Sequence, residues 1–95
     1  MSVPDIDIAE IEKDLLMRER LLQLLYAKRR GEPINPGIGA VQLEKLVATT
    51  RQLLEFQIWY MREKGWIERT DDGYLAITAL GVEQMEANLR ARRTA

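Results

Sequence analysis

The amino-acid sequence predicts a mainly α-helical domain that carries one small β-hairpin. Three observations predict it. Apolar residues recur at spacings of three and four in several separate segments, which is a helical signature. Ahead of the last of these segments, "WIERTDDGYLAIT" switches to extended-type residues on either side of an Asp-Asp-Gly turn. The segments are also cleanly punctuated, most heavily by the prolines and glycines of "EPINPGIGA", residues 32 to 40.

Each element can be justified in order. "DIDIAEIEKDLLMRERLLQLLYAKRRG" carries Ile8, Ile11, Leu15, Leu22 and Leu25 on one stripe, broken once at Arg18, and predicts a helix over 5–30. Lys28, Arg29 and Arg30 suit its C-terminal dipole, and Gly31 is expected to stop it in the left-handed conformation. Unbroken, such a helix is roughly 37 Å long. A compact chain of this length has a radius of gyration of only about 12 to 13 Å, so the front half is expected to project or bend back. Residues 31–40 then form a loop with at most one short extended piece.

Residues 41–64 read as two helices joined by a short turn. Val41, Leu43, Leu46 and Val47 mark the first, Thr50 is the simplest N-cap for the second, and Gly65 ends it. So short a connection makes the pair cross steeply, a helix-turn-helix arrangement. In the hairpin, 66–78, a three-residue loop at 71–73 with Gly73 left-handed pairs Thr70 with Tyr74 and sets Ile67 opposite Ile77. A two-residue Asp72-Gly73 turn would set Ile77 against Glu68, a mismatch in polarity, so the longer loop is expected. Thr78 caps a last helix, 79–93, with Leu80 or Val82, Met85 and Leu89 on one face, and something packs closely on Gly81.

Composition narrows the function. Ninety-five residues suit a single domain, 1–95. The chain is 46% apolar and 31% charged, with no run approaching the roughly 18 apolar residues of a membrane span, so a soluble protein with no membrane partner is expected. The opening "MSVPDIDIAEIEKD" is acidic where an export signal is basic, which makes the cytoplasm the expected location. Absence of Cys and His removes disulfides, thiolate and imidazole chemistry and most zinc sites, so no metal, no cofactor and no enzymatic activity are expected. A net charge of −1 argues against a strongly basic nucleic-acid binder but says nothing of where the charges sit.

"QLLEFQIWYMREKGWIE", residues 52 to 68, poses a geometric problem. With Leu54, Ile58 and Met61 facing the core, Gln52, Phe56, Trp59 and Glu63 occupy the opposite face, and Leu53 and Tyr60 lie to one side. Phe56, Trp59 and Tyr60 together could expose roughly 500 Å², more than a monomer commonly leaves in water. A cover is therefore expected: the front half of the first helix, the same helix of a second subunit, or another protein. Burial of Trp59 in the free protein follows from either of the first two. The basic ends "AKRRG" and "LRARR" read as dipole-matched solubilising charges or as phosphate-binding patches, and the acidic turn as good turn chemistry.

Three phrases carry a family resemblance: "LEKLVATT" before the third helix, "YMREKGWIER" running into the hairpin, and "YLAITALG" running out of it. Residues 60–69 are similar to a recurrent Leu-x-x-Lys-Gly-Leu-Ile-x-Arg phrase, and 77–81 to a Leu-Thr-x-x-Gly phrase, of the winged helix-turn-helix family of prokaryotic DNA-binding transcription regulators. The resemblance covers residues 43 to 81. It implies a winged helix fold, with the third helix in the DNA major groove and the wing tip at the backbone or minor groove. Carried over by position, it puts Thr50, Arg51, Gln52 and Glu55 at the DNA end of the recognition helix and Arg69 on the wing. Arg and Gln can read guanine and adenine edges.

Double-stranded DNA is accordingly the expected partner of a cytoplasmic transcription regulator. The expected assembly is a homodimer formed through the first and last helices. Its interface candidates are Ile8, Ile11, Leu15, Phe56, Trp59, Tyr60, Met85 and Leu89. The alternative is a winged helix used for protein interaction, favoured by the aromatic face and by Glu68, Asp71 and Asp72 outnumbering Arg69 on the wing.

Overall fold

The protein is described here by a computed structural model that covers residues 2–94. Its elements run α1 (Ile8–Gly31), α2 (Ala40–Leu46), α3 (Arg51–Glu63), β1 (Ile67–Arg69), β2 (Leu75–Ile77) and α4 (Ala79–Thr94). The result is a mainly helical chain with one two-stranded antiparallel sheet. No helix among the described residues is long and apolar enough to cross a membrane.

The centre of the core is β2. Leu75, Ala76 and Ile77 are all fully buried, because both edges of this short strand are occupied. Along one edge runs β1, with Ile67 opposite Ile77 and Arg69 opposite Leu75. On the other, Ile38 from the loop exchanges two backbone hydrogen bonds with Leu75, at 2.8 and 3.0 Å. Arg29, from the basic end of α1, donates its Nε to the Ile77 carbonyl at 2.7 Å. An exposed strand edge invites pairing with another chain, and here Ile38 and Arg29 cover the Leu75 backbone and the Ile77 carbonyl on that edge.

Helix α1 begins at Ile8, three residues later than the sequence suggests, because Asp7 accepts the Glu10 amide and so becomes the cap. Its far end corrects another expectation. Gly31 does not take the left-handed conformation; it stays helical, and the chain turns off at Glu32, whose amide bonds the Lys28 carbonyl at 2.8 Å. Lys28 holds the exit by pairing with Glu32 and donating to the Asn35 carbonyl. Leu21, Leu22 and Leu25 are buried, whereas Ile8, Ile11, Leu15 and Leu16 remain exposed. One side of the front half is therefore uncovered, and the radius of gyration is 13.9 Å.

The turn from α2 to α3 rests on Ala48, which has φ of +51°. The Thr49 amide reaches back to the Glu44 carbonyl at 3.1 Å, the long bond of a helix ending that normally places glycine at this position. Thr50 then caps α3 by accepting the Leu53 amide at 3.2 Å. The same type of ending recurs after α3, now with Gly65 at φ +76° and the Trp66 amide bonded to the Met61 carbonyl. In the hairpin Gly73 has φ of +86°, and Thr70 donates its amide to the Tyr74 carbonyl at 2.7 Å, so the loop is 71–73.

Thr78 joins the hairpin to α4. Its hydroxyl accepts the Gly81 amide and donates to the Gly65 carbonyl. Gly81 is required by contact: a Cβ there would stand 2.1 Å from the Trp66 carbonyl oxygen and 2.6 Å from Ile77 Cγ1. From that anchor α4 runs back antiparallel to α1, and Arg92 meets Glu19 at 2.8 Å. Val82 and Met85 pack against the core, whereas Leu80 is exposed.

The two special backbone positions predict opposite responses. Ala48→Gly relieves the left-handed strain and should raise stability by up to about 1 kcal/mol. Gly81→Ala forces the hairpin and α4 apart and should lower it by on the order of 3 kcal/mol. Urea denaturation of both variants checks this, and a neutral Gly81→Ala would contradict the packing described.

Candidate functional site

Helix α3 presents its two faces very differently. Leu54, Ile58 and Met61 point inward as the spacing requires, but Gln57 lies among them and is only 1% exposed. A buried amide must be satisfied, and both of its ends are. Gln57 Nε2 donates to the Asp14 carbonyl at 2.8 Å, and Gln57 Oε1 accepts from Arg18 Nε at 2.9 Å. The Arg18 guanidinium carbon also lies 3.9 Å from the Tyr60 ring centroid. The residue that interrupts the apolar stripe of α1 thus serves as its fastening to α3. Arg18 is visible in the sequence only as the break in the stripe of α1, and Gln57 only by its helical spacing from Leu54 and Met61.

The outward face carries Gln52, Phe56, Trp59 and Glu63. Trp59 is 54% exposed and Phe56 44% exposed, with ring centroids 5.9 Å apart. The front half of α1 therefore does not cover Trp59, which corrects one of the two covers under which its burial was expected. The residues before α1 and its front half pass on the other side of α3, where Pro4, Ile6, Glu10 and Asp14 border a hollow with Gln52, Leu53 and Phe56 and leave Trp59 uncovered; Gln52 thus lies in this hollow and does not line the groove with Arg51 and Arg69. Tyr60, by contrast, is partly buried between Arg18 and Trp66, whose ring meets it edge-on at 5.6 Å.

On its opposite flank α3 borders an open groove of about 670 Å³ shared with the hairpin. Arg51, Glu55, Trp59, Arg62 and Glu63 line it from α3, and Arg69 lines it from β1. Three arginines so face two glutamates in a concave surface with a tryptophan between them. Arg62 was not singled out in the sequence; helical spacing places it two turns beyond Glu55, on the flank of Arg51.

The charges of this groove are partly tied. Arg51 Nη2 contacts Glu44 Oε2 at 2.8 Å, and that carboxylate, with Glu55 further off, holds the guanidinium above its already high ordinary pKa. Arg69 Nη1 donates to the Gly73 carbonyl at 3.1 Å, across the hairpin loop. Thr70 bonds the Asp72 carboxylate, so the acidic turn is held by its own chain. The Thr50 oxygen is engaged in capping, while Gln52 and Glu55 are exposed. Among the described residues no group of three or more carboxylates is placed to hold a metal ion.

The interface candidates do not form one surface. Ile8, Ile11 and Leu15 are exposed on a side of α1 turned away from Glu10 and Asp14, which border α3. Leu89 is exposed on α4, and Phe56 and Trp59 on α3. Tyr60 and Met85 pack against their own core, because Arg18, Trp66 and α1 enclose them. No protein-family model matches the chain, and no curated protein matches it significantly.

Burial predicts which of these residues carry stability. Gln57→Ala leaves Arg18 and a cavity unsatisfied and should cost roughly 2 to 4 kcal/mol. Trp59→Ala should cost less than about 1 kcal/mol, as at other half-exposed surface positions. Guanidinium denaturation separates the two, and equal losses would mean that Trp59 is covered.

Proposed function

We propose that the chain is a DNA-binding transcription regulator of winged helix-turn-helix type, with α3 entering the major groove and the hairpin acting as the wing. The observation that carries this reading is the shared groove: residues at the start and flank of α3 and Arg69 of the hairpin open on one side of the molecule. A helix of 13 residues ending in an exposed cap, with Arg51 and Gln52 in its first turn, fits the dimensions and hydrogen-bonding edges of a major groove. Arg62 and Arg69 line the same groove and would supply the contacts to flanking phosphates, which fix register without reading sequence. Phe56 and Trp59 supply apolar contact of the kind thymine methyl groups accept.

A second reading, in which the same face binds another protein, is supported by the exposed Phe56–Trp59 pair and by Asp71 and Asp72 at the hairpin tip. Large exposed aromatics are typical anchors of protein interfaces. Phosphate contact distinguishes the readings, since a protein that releases counterions loses DNA affinity steeply as salt rises.

The test is titration of mixed-sequence duplex DNA at low and moderate salt. The DNA reading expects salt-sensitive binding that weakens several-fold in Arg51→Ala or Arg62→Ala and strengthens when Asp71 and Asp72 are both changed to Asn. Binding indifferent to all of these changes at low salt would remove DNA from the α3 groove and favour the protein partner.

A further inference from the structure

Helices α1 and α3 part company beyond the point where Gln57 ties them together. Gln57 reaches Asp14 and Arg18 of α1, but one turn nearer the start of each helix Glu10 and Leu53 line a hollow. The entry to α1 keeps the hollow open. Asp7 is extended and caps the helix, so the chain before it, with Pro4 and Ile6, borders the space without filling it. At about 630 Å³ the hollow falls within the range of roughly 300 to 1,000 Å³ typical of small-molecule sites.

Its lining is of two kinds. Pro4, Ile6, Leu53 and Phe56 are apolar, and Leu53 and Phe56 are each left 44% exposed. Asp5, Glu10 and Asp14 supply all of its formal charge, and no basic side chain among the described residues lines it. The neighbouring bases are engaged elsewhere. Arg18 bonds Gln57 and lies over Tyr60, and Arg51 pairs with Glu44 on the other flank of α3. No ion pair among the described residues takes up any of the three carboxylates. The starts of α1 and α3 both lie at this end, and their dipoles together offset about one elementary charge. The hollow therefore stays net negative.

We propose that this hollow binds a hydrophobic organic cation, with its apolar body on Leu53 and Phe56 and its charge toward Glu10 and Asp14. The carboxylates are not grouped to hold a metal ion, so the cation has to bring an apolar body that spans the space between them. Burial of that body against Leu53 and Phe56 provides the affinity, and the carboxylates, together with the negative face of the Phe56 ring, select the sign of the charge. No residue lines both this hollow and the arginine groove on the other flank of α3. The inference thus does not depend on DNA being the ligand of the groove.

The test is calorimetric titration of the full chain with methyltriphenylphosphonium, with triphenylphosphine oxide as a neutral control of nearly the same body. The cation is expected to bind saturably, and the oxide about tenfold more weakly or less. Glu10→Gln combined with Asp14→Asn should weaken the cation by about tenfold, and Phe56→Ala should weaken it several-fold. Glu83→Gln combined with Glu86→Gln removes the same charge from α4 and should leave binding unchanged. Circular dichroism checks that every variant is folded. Absence of saturable binding, equal binding of the oxide, or equal weakening by the two pairs of substitutions would overturn the proposal. Binding of a trilysine peptide but not of the small cation would also overturn it, and would assign the hollow to a protein partner.

Discussion

The amide of Gln57 fixes how α3 sits, and most of the surface follows from that. It is the one polar side chain sealed into the face that α3 turns to the core, and its two ends reach two points on α1 one turn apart. A buried amide tolerates few orientations, because each missed hydrogen bond costs about 1 to 3 kcal/mol. Rotating α3 about its axis would break both bonds and lift Arg18 from the Tyr60 ring. With Gln57 turned inward, the geometry of a helix turns Trp59 and Phe56 outward. The aromatic face is exposed because the opposite face is satisfied.

The same constraint ties α3 to the rest of the fold through α1. Helix α1 touches α3 through Asp14 and Arg18, touches β2 through Arg29, and meets α4 at Glu19. It is the common reference for the other elements, and the side of its front half that carries Ile8, Ile11 and Leu15 stays uncovered. In the groove two arginines are restrained: Glu44 holds Arg51 of α3, and Arg69 of β1 is bonded to the hairpin loop. Exposed ion pairs of this kind are worth little to stability, so their effect falls on the geometry and net charge of the groove.

Much of this fold was legible because single residues dictate local geometry. Thr50 and Thr78 cap, Gly65 and Gly73 take positive φ, Gly81 admits a close backbone, and matching polarity sets Ile67 against Ile77. What escaped depends on partners far away in sequence. Gln57 and Arg18 are separated by 39 positions, and neither reads as structural until the helices are brought together. Ala48 in a left-handed turn runs against alanine's own preference, and Gly31 was not needed as a stop once Lys28 held the exit. Of the candidate residues read from the sequence, Arg51, Glu55 and Arg69 line the groove, whereas Thr50 serves as a cap, Gln52 borders the hollow beside α1, and Arg62 was not singled out. Trp59 was expected to be covered because exposed aromatic area is costly, but the path of α1 past Leu53 and Phe56 cannot be read from periodicity.

The central claim is that Trp59 stands on an open, ligand-facing surface of α3, and its fluorescence tests this most directly. In a Trp66→Phe background, iodide should quench Trp59 readily in the free protein, and adding duplex DNA should shield it in step with binding. A Trp59 that iodide cannot reach in the free protein, or one whose quenching is unchanged when duplex DNA is bound, would contradict it.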